Sequence, residues 1–250
     1  VGEVITGKWN SEPELDFYFI LDSMLREIPE IAAAREQVAA ASRRLAQEGL
    51  VIGTAGNISV RAAGEGGEAF AITPTGADLG ALEPAQVSVV DADGTVVEGD
   101  LEPSSELGLH LGVYGRYGSN AVVHTHAPMA TALSCVVDEV PCVHYQMLLL
   151  GGPVPTAPYR TFGTPELAEV TVDALEGRVA VLMANHGAIT HGPTLDSAIE
   201  SSLLLEWACT VYWRAAAIGK PRELDEEQRA AVIATAVERS YGQTHQVGKS

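Results

Sequence analysis

The stretch AVVHTHAP, residues 121–128, decides how the rest of the chain is read. Its first residues are small or β-branched and free of charge, which is the make-up of a buried strand over Ala121–His126. Pro128 suits the first turn of a following helix, where a missing amide proton costs nothing. On a strand, His124 and His126 point to the same face, close enough to share one metal ion. The same spacing also fits two histidines on a polar sheet face, and by itself it does not separate the two readings.

A third histidine tips that balance. Val179–Ala184 is another apolar strand-like run, and Asn185, His186 and Gly187 follow it. A histidine at a strand end, next to glycine, can turn into a cleft where backbone approaches closely. Its ordinary alternative is a turn histidine bonded to nearby carbonyls. Three neutral imidazoles would hold zinc and leave one position open, as catalytic sites require. Glu106, behind Ser104 and Ser105, has a plain explanation as a carboxylate favoured in the first turn of a helix. Beside the histidines it reads as a proton carrier next to the metal.

Outward from these motifs, a helix is predicted from about Glu30 to Gly49. Strands follow at Ile58–Arg61, Ala69–Thr73, Val87–Asp91 and Thr95–Glu98, separated by the Gly64–Gly67 cluster and Asp93–Gly94. Pro103, Ser104 and Ser105 are expected to open a helix reaching Tyr117, and Thr164–Pro165 another. Asp196–Ile218 reads as a long helix with Ile199, Leu203, Trp207 and Val211 on one side, and Asp225–Ser240 as the last helix. Hairpins mixed with flanking helices predict an α/β protein with a mostly antiparallel sheet covered by helices. Residues 1–28 read as an extension of unknown role, in which Leu15, Phe17, Ile20, Leu21, Met24 and Leu25 keep helical spacing. Residues 29–250 read as one domain.

The chain has 250 residues, 46% of them hydrophobic, which suits one soluble domain with a full core. No apolar run reaches the roughly 18 to 20 residues that span a bilayer, and the first residues do not read as a signal peptide. Three cysteines without a CxxC pair point to reduced thiols and a cytoplasmic home. A net charge of −18 argues against a nucleic-acid or anionic-membrane surface. It would also repel a phosphorylated ligand, so any attraction must come from local donors. Residues 53–57 (GTAGN), 73–76 (TPTG) and Ser104–Ser105 offer hydroxyls, amides and backbone N–H groups that together could cradle a phosphate without a lysine. Each alone is an ordinary turn, and the first is not a Walker A loop.

Taken in order, GTAGNISVR (53–61), ITPTG (72–76), PSSE (103–106), AVVHTHAP (121–128), HYQM (144–147), APYRTFGT (157–164) and NHG (185–187) resemble the class II aldolase/adducin family across roughly residues 30–242. The resemblance implies an α/β/α fold around an antiparallel sheet, and a homotetramer with active sites between subunits. It implies one zinc ion held by His124, His126 and His186, with Glu106 as the catalytic carboxylate that also ligates the resting metal. Thr54, Asn57, Thr75, Gly76, Ser104 and Ser105 would hold the phosphate of a small phosphorylated sugar. Tyr145 would reach a neighbouring subunit's site as a proton donor, Tyr241 would be a second functional tyrosine, and Phe162 would line the aldehyde side.

The reaction so implied is reversible cleavage of a ketose 1-phosphate to dihydroxyacetone phosphate and a short aldehyde. L-fuculose 1-phosphate and a 5-deoxypentulose 1-phosphate both fit. Glu238 stands where fuculose-cleaving members carry an aromatic residue, a departure on the aldehyde side. Pentulose-phosphate 4-epimerases of the family carry aspartate at the position of Glu106. Methylthioribulose-phosphate dehydratases carry glutamate at the position of Gln146 and lack PSSE. Adducin-like interaction modules lose the metal ligands, which are all present here. Of the other histidines, His110 reads as a helix residue or a neighbour of the metal site, His144 as a subunit contact, and His191 and His245 as surface residues.

Overall fold

A computed structural model describes residues 29–64 and 67–239. The extension over 1–28, Tyr241 and His245 lie outside the described residues. Among the described residues the sheet has nine strands: β1 (Asn57–Gly64), β2 (Gly67–Ile72), β3 (Ser88–Asp91), β4 (Val96–Glu98), β5 (Ala121–Thr125), β6 (Glu139–Val140), β7 (Val154–Ala157), β8 (Ala180–Met183) and β9 (Gly187–Gly192). Their order is β4-β3-β2-β1-β5-β9-β8-β7-β6. Every pairing is antiparallel except β7 with β8. The expected mostly antiparallel α/β sheet is therefore what the chain forms.

Helices cover both faces: α1 (Ile31–Gln47), α2 (Leu107–Tyr117), α3 (Pro128–Ser134), α4 (Pro165–Ala174), α5 (Leu195–Ile218) and α6 (Glu226–Glu238). Strand alternation sorts β5 between two cores. Ala121 and Val123 join a core with Val38 and Leu45 of α1, Leu133 of α3 and Leu205 of α5. Val122 joins the opposite core with Leu109 and Val113 of α2 and Leu167 of α4. His124, in phase with Val122, therefore belongs to the face that α2 covers.

Four expectations change in detail. The segment 103–105 is not yet helical: Pro103 bridges to Pro74, the Ser104 amide donates to Thr73 O at 3.1 Å, and α2 begins only at Leu107. The buried side of α5 is made mostly of small residues (Ala198, Ser202, Ala208, Cys209) with Ile199 and Leu205, while Trp207 is 42% exposed. Strands β6, β7 and β9 were not expected. His191 is not on the surface. It sits on β9 with 2% exposure, its Nδ1 2.6 Å from Ser119 Oγ and its Nε2 3.0 Å from the Arg178 carbonyl. Two partners satisfy both ring nitrogens, which is what lets a histidine be buried.

Candidate metal centre and substrate cleft

The end of β5 and the turn into β9 converge on one point. β5 delivers His124, and the residue just beyond it is His126. β8 ends at Met183, and Asn185 turns the chain with φ 56°, a left-handed conformation that asparagine tolerates. That turn presents His186. Gly187 then packs so tightly against β5 that a Cβ there would lie 2.3 Å from Thr125 O, 3.2 Å from His126 Cδ2 and 3.3 Å from His124 Cε1. The close approach predicted for this glycine is thus made to the neighbouring strand and its imidazoles.

One ring nitrogen from each of His124, His126 and His186 lies within 4.8 Å of the others. His124 Nδ1 donates to Ala188 O at 2.9 Å, so its Nε2 is left with the lone pair. That Nε2 faces His126 Nε2 at 3.0 Å, Glu106 Oε2 at 3.2 Å, and through Glu106 Oε1 it is linked to His186 Nε2 at 3.6 Å. Burial lowers the His126 pKa to about 4 and also lowers that of His186, in both cases with help from the neighbouring imidazoles. Both rings are therefore held neutral, the state in which histidine binds metals. For Glu106, burial works to raise the pKa, but His124, the Asn57 hydrogen bond, His186 and His110 outweigh it and keep the carboxyl below its ordinary range.

The donor set fits a divalent ion. Glu106 Oε1, which faces His186 Nε2 at 3.6 Å, is buried without a hydrogen-bond partner, and one nitrogen from each ring lies beside it. Buried polar groups left like this call for an additional partner. Three imidazoles and one carboxylate are ligands that suit zinc and the other late first-row ions.

Around this centre opens a cleft of about 340 Å³. Thr54, Asn57, Thr75, Gly76, Ser104, Ser105, Glu106, His126, His186 and Phe162 all line it. Local hydrogen bonds explain the convergence. Thr75 N donates to Glu102 O at 3.0 Å and Ser104 N to Thr73 O at 3.1 Å, tying the 73–76 turn to the residues before α2. Leu79 N donates to Gly53 O at 3.1 Å and brings in the 53–57 loop. Gly56 of that loop has φ 101°, and a Cβ there would lie 2.9 Å from His124 O. Only glycine lets the loop approach the metal strand so closely.

Ser104 and Ser105, expected to open α2, lie ahead of it: Glu106 is the residue before its first turn and makes no side-chain cap, while its own amide donates to Ser104 Oγ at 3.2 Å. Asn57 lines the cleft too, but its amide is already committed to Glu106 and His110. Tyr145 does not line the cleft. It begins a short 3-10 segment, Tyr145–Leu150, and is 41% exposed beside an apolar groove against α6. Tyr159 and Arg160 also line the cleft. Arg160 sits inside the quoted motif APYRTFGT, and a basic residue in a chain of this charge was the available signal. His110, expected as a plain helix residue or a neighbour of the metal site, is fully buried and bonded to Asn57.

Residues 36–213 match the model of the class II aldolase and adducin N-terminal domain. The chain is 37% identical over 195 residues to the 5-deoxy-D-ribulose 1-phosphate aldolase of Bacillus thuringiensis serovar kurstaki, covering 78% of this chain and 91% of that protein. It is 38% identical over 187 residues to the L-fuculose phosphate aldolase of Escherichia coli K12, covering 74% and 85% respectively. Among solved structures, an L-fuculose 1-phosphate aldolase superposes with a TM-score of 0.76 at 33% identity, covering 81% of this chain and 95% of that one. With the family model matching most of the chain, and relatives this similar along most of their length, the protein belongs to the class II aldolase and adducin family.

Proposed function

We propose that this enzyme is a zinc-dependent aldolase that reversibly cleaves a ketose 1-phosphate to dihydroxyacetone phosphate and a short aldehyde. Relatives named for 5-deoxyribulose 1-phosphate and for L-fuculose phosphate bracket the substrate, and both ketoses end in a methyl group. The observation that carries the reading is the position of Glu106. Its carboxyl lies 3.2 Å from His124 and 3.6 Å from His186, at the floor of a cleft lined by hydroxyl and backbone donors. His124, His126, His186 and Glu106 would hold a divalent ion, which would supply a Lewis acid for the negative charge that develops on the three-carbon fragment.

The chain's own groups divide the remaining work. Thr54, Thr75, Gly76, Ser104 and Ser105 donate to the phosphate, so recognition does not depend on the net charge of the protein. In the condensation direction Glu106 takes a proton from the hydroxyl-bearing carbon of dihydroxyacetone phosphate. That carbon attacks the aldehyde carbonyl, and the aldehyde oxygen receives a proton from Tyr145, aided by Tyr241. Cleavage runs the same steps backwards. Phe162, 68% exposed at the mouth of the cleft, covers the aldehyde end. An exposed Tyr145 outside its own cleft supports delivery from a neighbouring subunit, hence a homotetramer. Residues 29–250 form the catalytic domain in this reading, with 1–28 as an extension. Three free cysteines support a cytoplasmic setting, and among the described residues no helix is long and apolar enough to cross a membrane.

Incubation of the protein with dihydroxyacetone phosphate and a panel of short aldehydes, acetaldehyde and lactaldehyde included, tests the reading by kcat/KM. Glu106→Gln is expected to keep its metal and lose about 10² to 10⁴-fold in rate. Absence of carbon–carbon bond formation with every aldehyde, or near-normal turnover of the glutamine variant, would sink it.

A further inference from the structure

Behind Glu106 lies a line of buried polar side chains whose members beyond Asn57 take no part in metal or phosphate recognition. Asn57 Nδ2 donates to Glu106 Oε2 at 2.8 Å. Asn57 Oδ1 is 2.5 Å from His110 Nε2, His110 Nδ1 is 2.6 Å from Ser59 Oγ, and Ser59 Oγ is 2.6 Å from the Tyr114 hydroxyl. His110 and Ser59 are completely buried, Tyr114 is 3% exposed and Asn57 5%. The fold sets these groups in line. Asn57 and Ser59 are alternate residues of β1, on the same face of the sheet, while Glu106, just ahead of α2, is followed at four-residue intervals by His110 and Tyr114 on that helix.

The chemistry of the partners fixes the direction of every bond. Asn57 turns its amide N–H to the carboxylate, so its oxygen must accept from His110, and the ring proton is on Nε2. A neutral ring with its proton there must accept at Nδ1, and Ser59 supplies that hydrogen. With its one hydrogen so committed, Ser59 accepts from Tyr114. Burial lowers the His110 pKa to about 3, with His124 adding to the effect, which keeps the ring neutral. An unbroken run of donors thus points at Glu106, and reversing it would face the Asn57 oxygen to the carboxylate.

We infer that His110 and Ser59 are positioning residues for the aldolase reaction: they lock the Asn57 amide with its N–H toward Glu106 and so hold the carboxylate in the orientation for proton transfer at the metal. This rests on Glu106 carrying the proton. Neither residue touches substrate. Among the described residues Asn57 carries the hydrogen-bonded link between them and the carboxyl, and it lines the cleft.

Three substitutions separate positioning from bulk packing. His110→Phe removes the donor to Asn57. Ser59→Ala keeps the ring but frees it to take the other tautomer. His110→Gln returns an N–H near the place of Nε2. The expected result is a fall in kcat of about 10 to 100-fold for the first two, the range typical of groups that orient a metal's ligands, with KM for the ketose 1-phosphate within about twofold of wild type. His110→Gln recovers most of the loss. Zinc affinity of the stripped proteins, read by competition with a chromophoric chelator, is expected to fall for the Phe and Ala variants and to recover with Gln. Unchanged kcat and zinc affinity in Ser59→Ala overturn the inference, and so does a loss that Gln fails to rescue while KM rises in step. If Glu106→Gln is itself fully active, the functional reading falls first, whatever these variants do.

Discussion

His124 on β5 stands directly opposite Asn57 on β1, and the two residues form one register pair of the antiparallel ladder. Cross-strand partners share a face, so this pairing brings a metal-seeking imidazole and the amide that holds Glu106 to the same side of the sheet. α2 packs over that side and lowers Glu106 between them. The centre is thus built on paired strands and a packed helix, while the loops at 53–57, 73–76 and 159–162 form the walls of the cleft.

Gly187 is where the centre is most vulnerable to added volume. A Cβ there would meet backbone at 2.3 Å, and backbone cannot swing aside as a long side chain can. Gly187→Ala must prise β9 from β5 and displace both imidazoles of the pair. A stability loss of about 1 to 3 kcal/mol, the usual cost of overpacking, is expected by denaturant unfolding. Bound divalent metal by elemental analysis should fall with it. Full metal occupancy at unchanged stability would show that the two strands are not held as tightly as their geometry indicates.

Arg160 is the cation at the cleft, exposed and anchored by a 2.8 Å bond from Nη1 to the Tyr159 carbonyl. In a chain of net charge −18 it supplies local attraction for a phosphorylated sugar that the overall field denies. Arg160→Ala is expected to raise KM for the ketose 1-phosphate by about tenfold, near the lower end of what a hydrogen bond to a charged group contributes, with kcat little changed. The effect should shrink at high salt, as exposed charge contacts do. Equal KM values for the two proteins at low ionic strength would remove Arg160 from recognition.

Much of this centre was legible because period and composition agree. The HxH spacing, the apolar run ahead of it and Pro128 after it each mean the same thing on a strand leading into a helix. What was not legible has particular physical causes. β7 is hidden by Pro153 and Pro155, which a strand accepts only because Pro155 pairs at the short edge strand β6. β9 reads as a polar turn because it begins and ends in glycine and holds Thr190 and His191. Their partners lie outside the strand: Thr190 donates to Ala198 O at 2.8 Å on α5, and His191 relies on Ser119 and Arg178. The start of α2 was misplaced because Pro103 and Ser104 are drawn into backbone pairing with the 73–74 turn. No local pattern announces such long-range bonds.

Glu206 fixes the chain just after the metal pair. Its carboxylate, on α5, accepts from Met129 N at 2.9 and 3.1 Å and from Ala130 N at 2.8 Å, capping α3 from another helix. α3 begins two residues after His126, and its own N-terminus has no side-chain cap. Glu206→Ala leaves these amides without a partner and should cost about 1 to 3 kcal/mol, as loss of a charge-assisted bond does. Glu206→Gln retains one acceptor oxygen and should recover part of that loss. A thermal shift of the alanine variant no larger than that of an exposed Glu→Ala control such as Glu200 would show that the cap carries no weight.

His191 makes the acid response of the fold testable. Burial lowers its pKa to about 4, against which the hydrogen bond to the Arg178 carbonyl works only in part. An unfolded chain takes up the proton near the ordinary value of about 6.5. Between about pH 6.5 and 4 the unfolded state therefore binds more protons than the folded one, and stability rises with pH across that window. The contribution is fully present above the unfolded value and is lost as pH falls toward the folded one. A side chain of similar size that does not titrate removes this part of the slope. His191→Gln should be less stable than wild type at pH 8, because one of the two bonds is lost, yet its stability should decline less between pH 6.5 and 4.5. Parallel curves for the two proteins in urea unfolding across that range would mean that His191 takes up its proton in the folded state as readily as in the unfolded one.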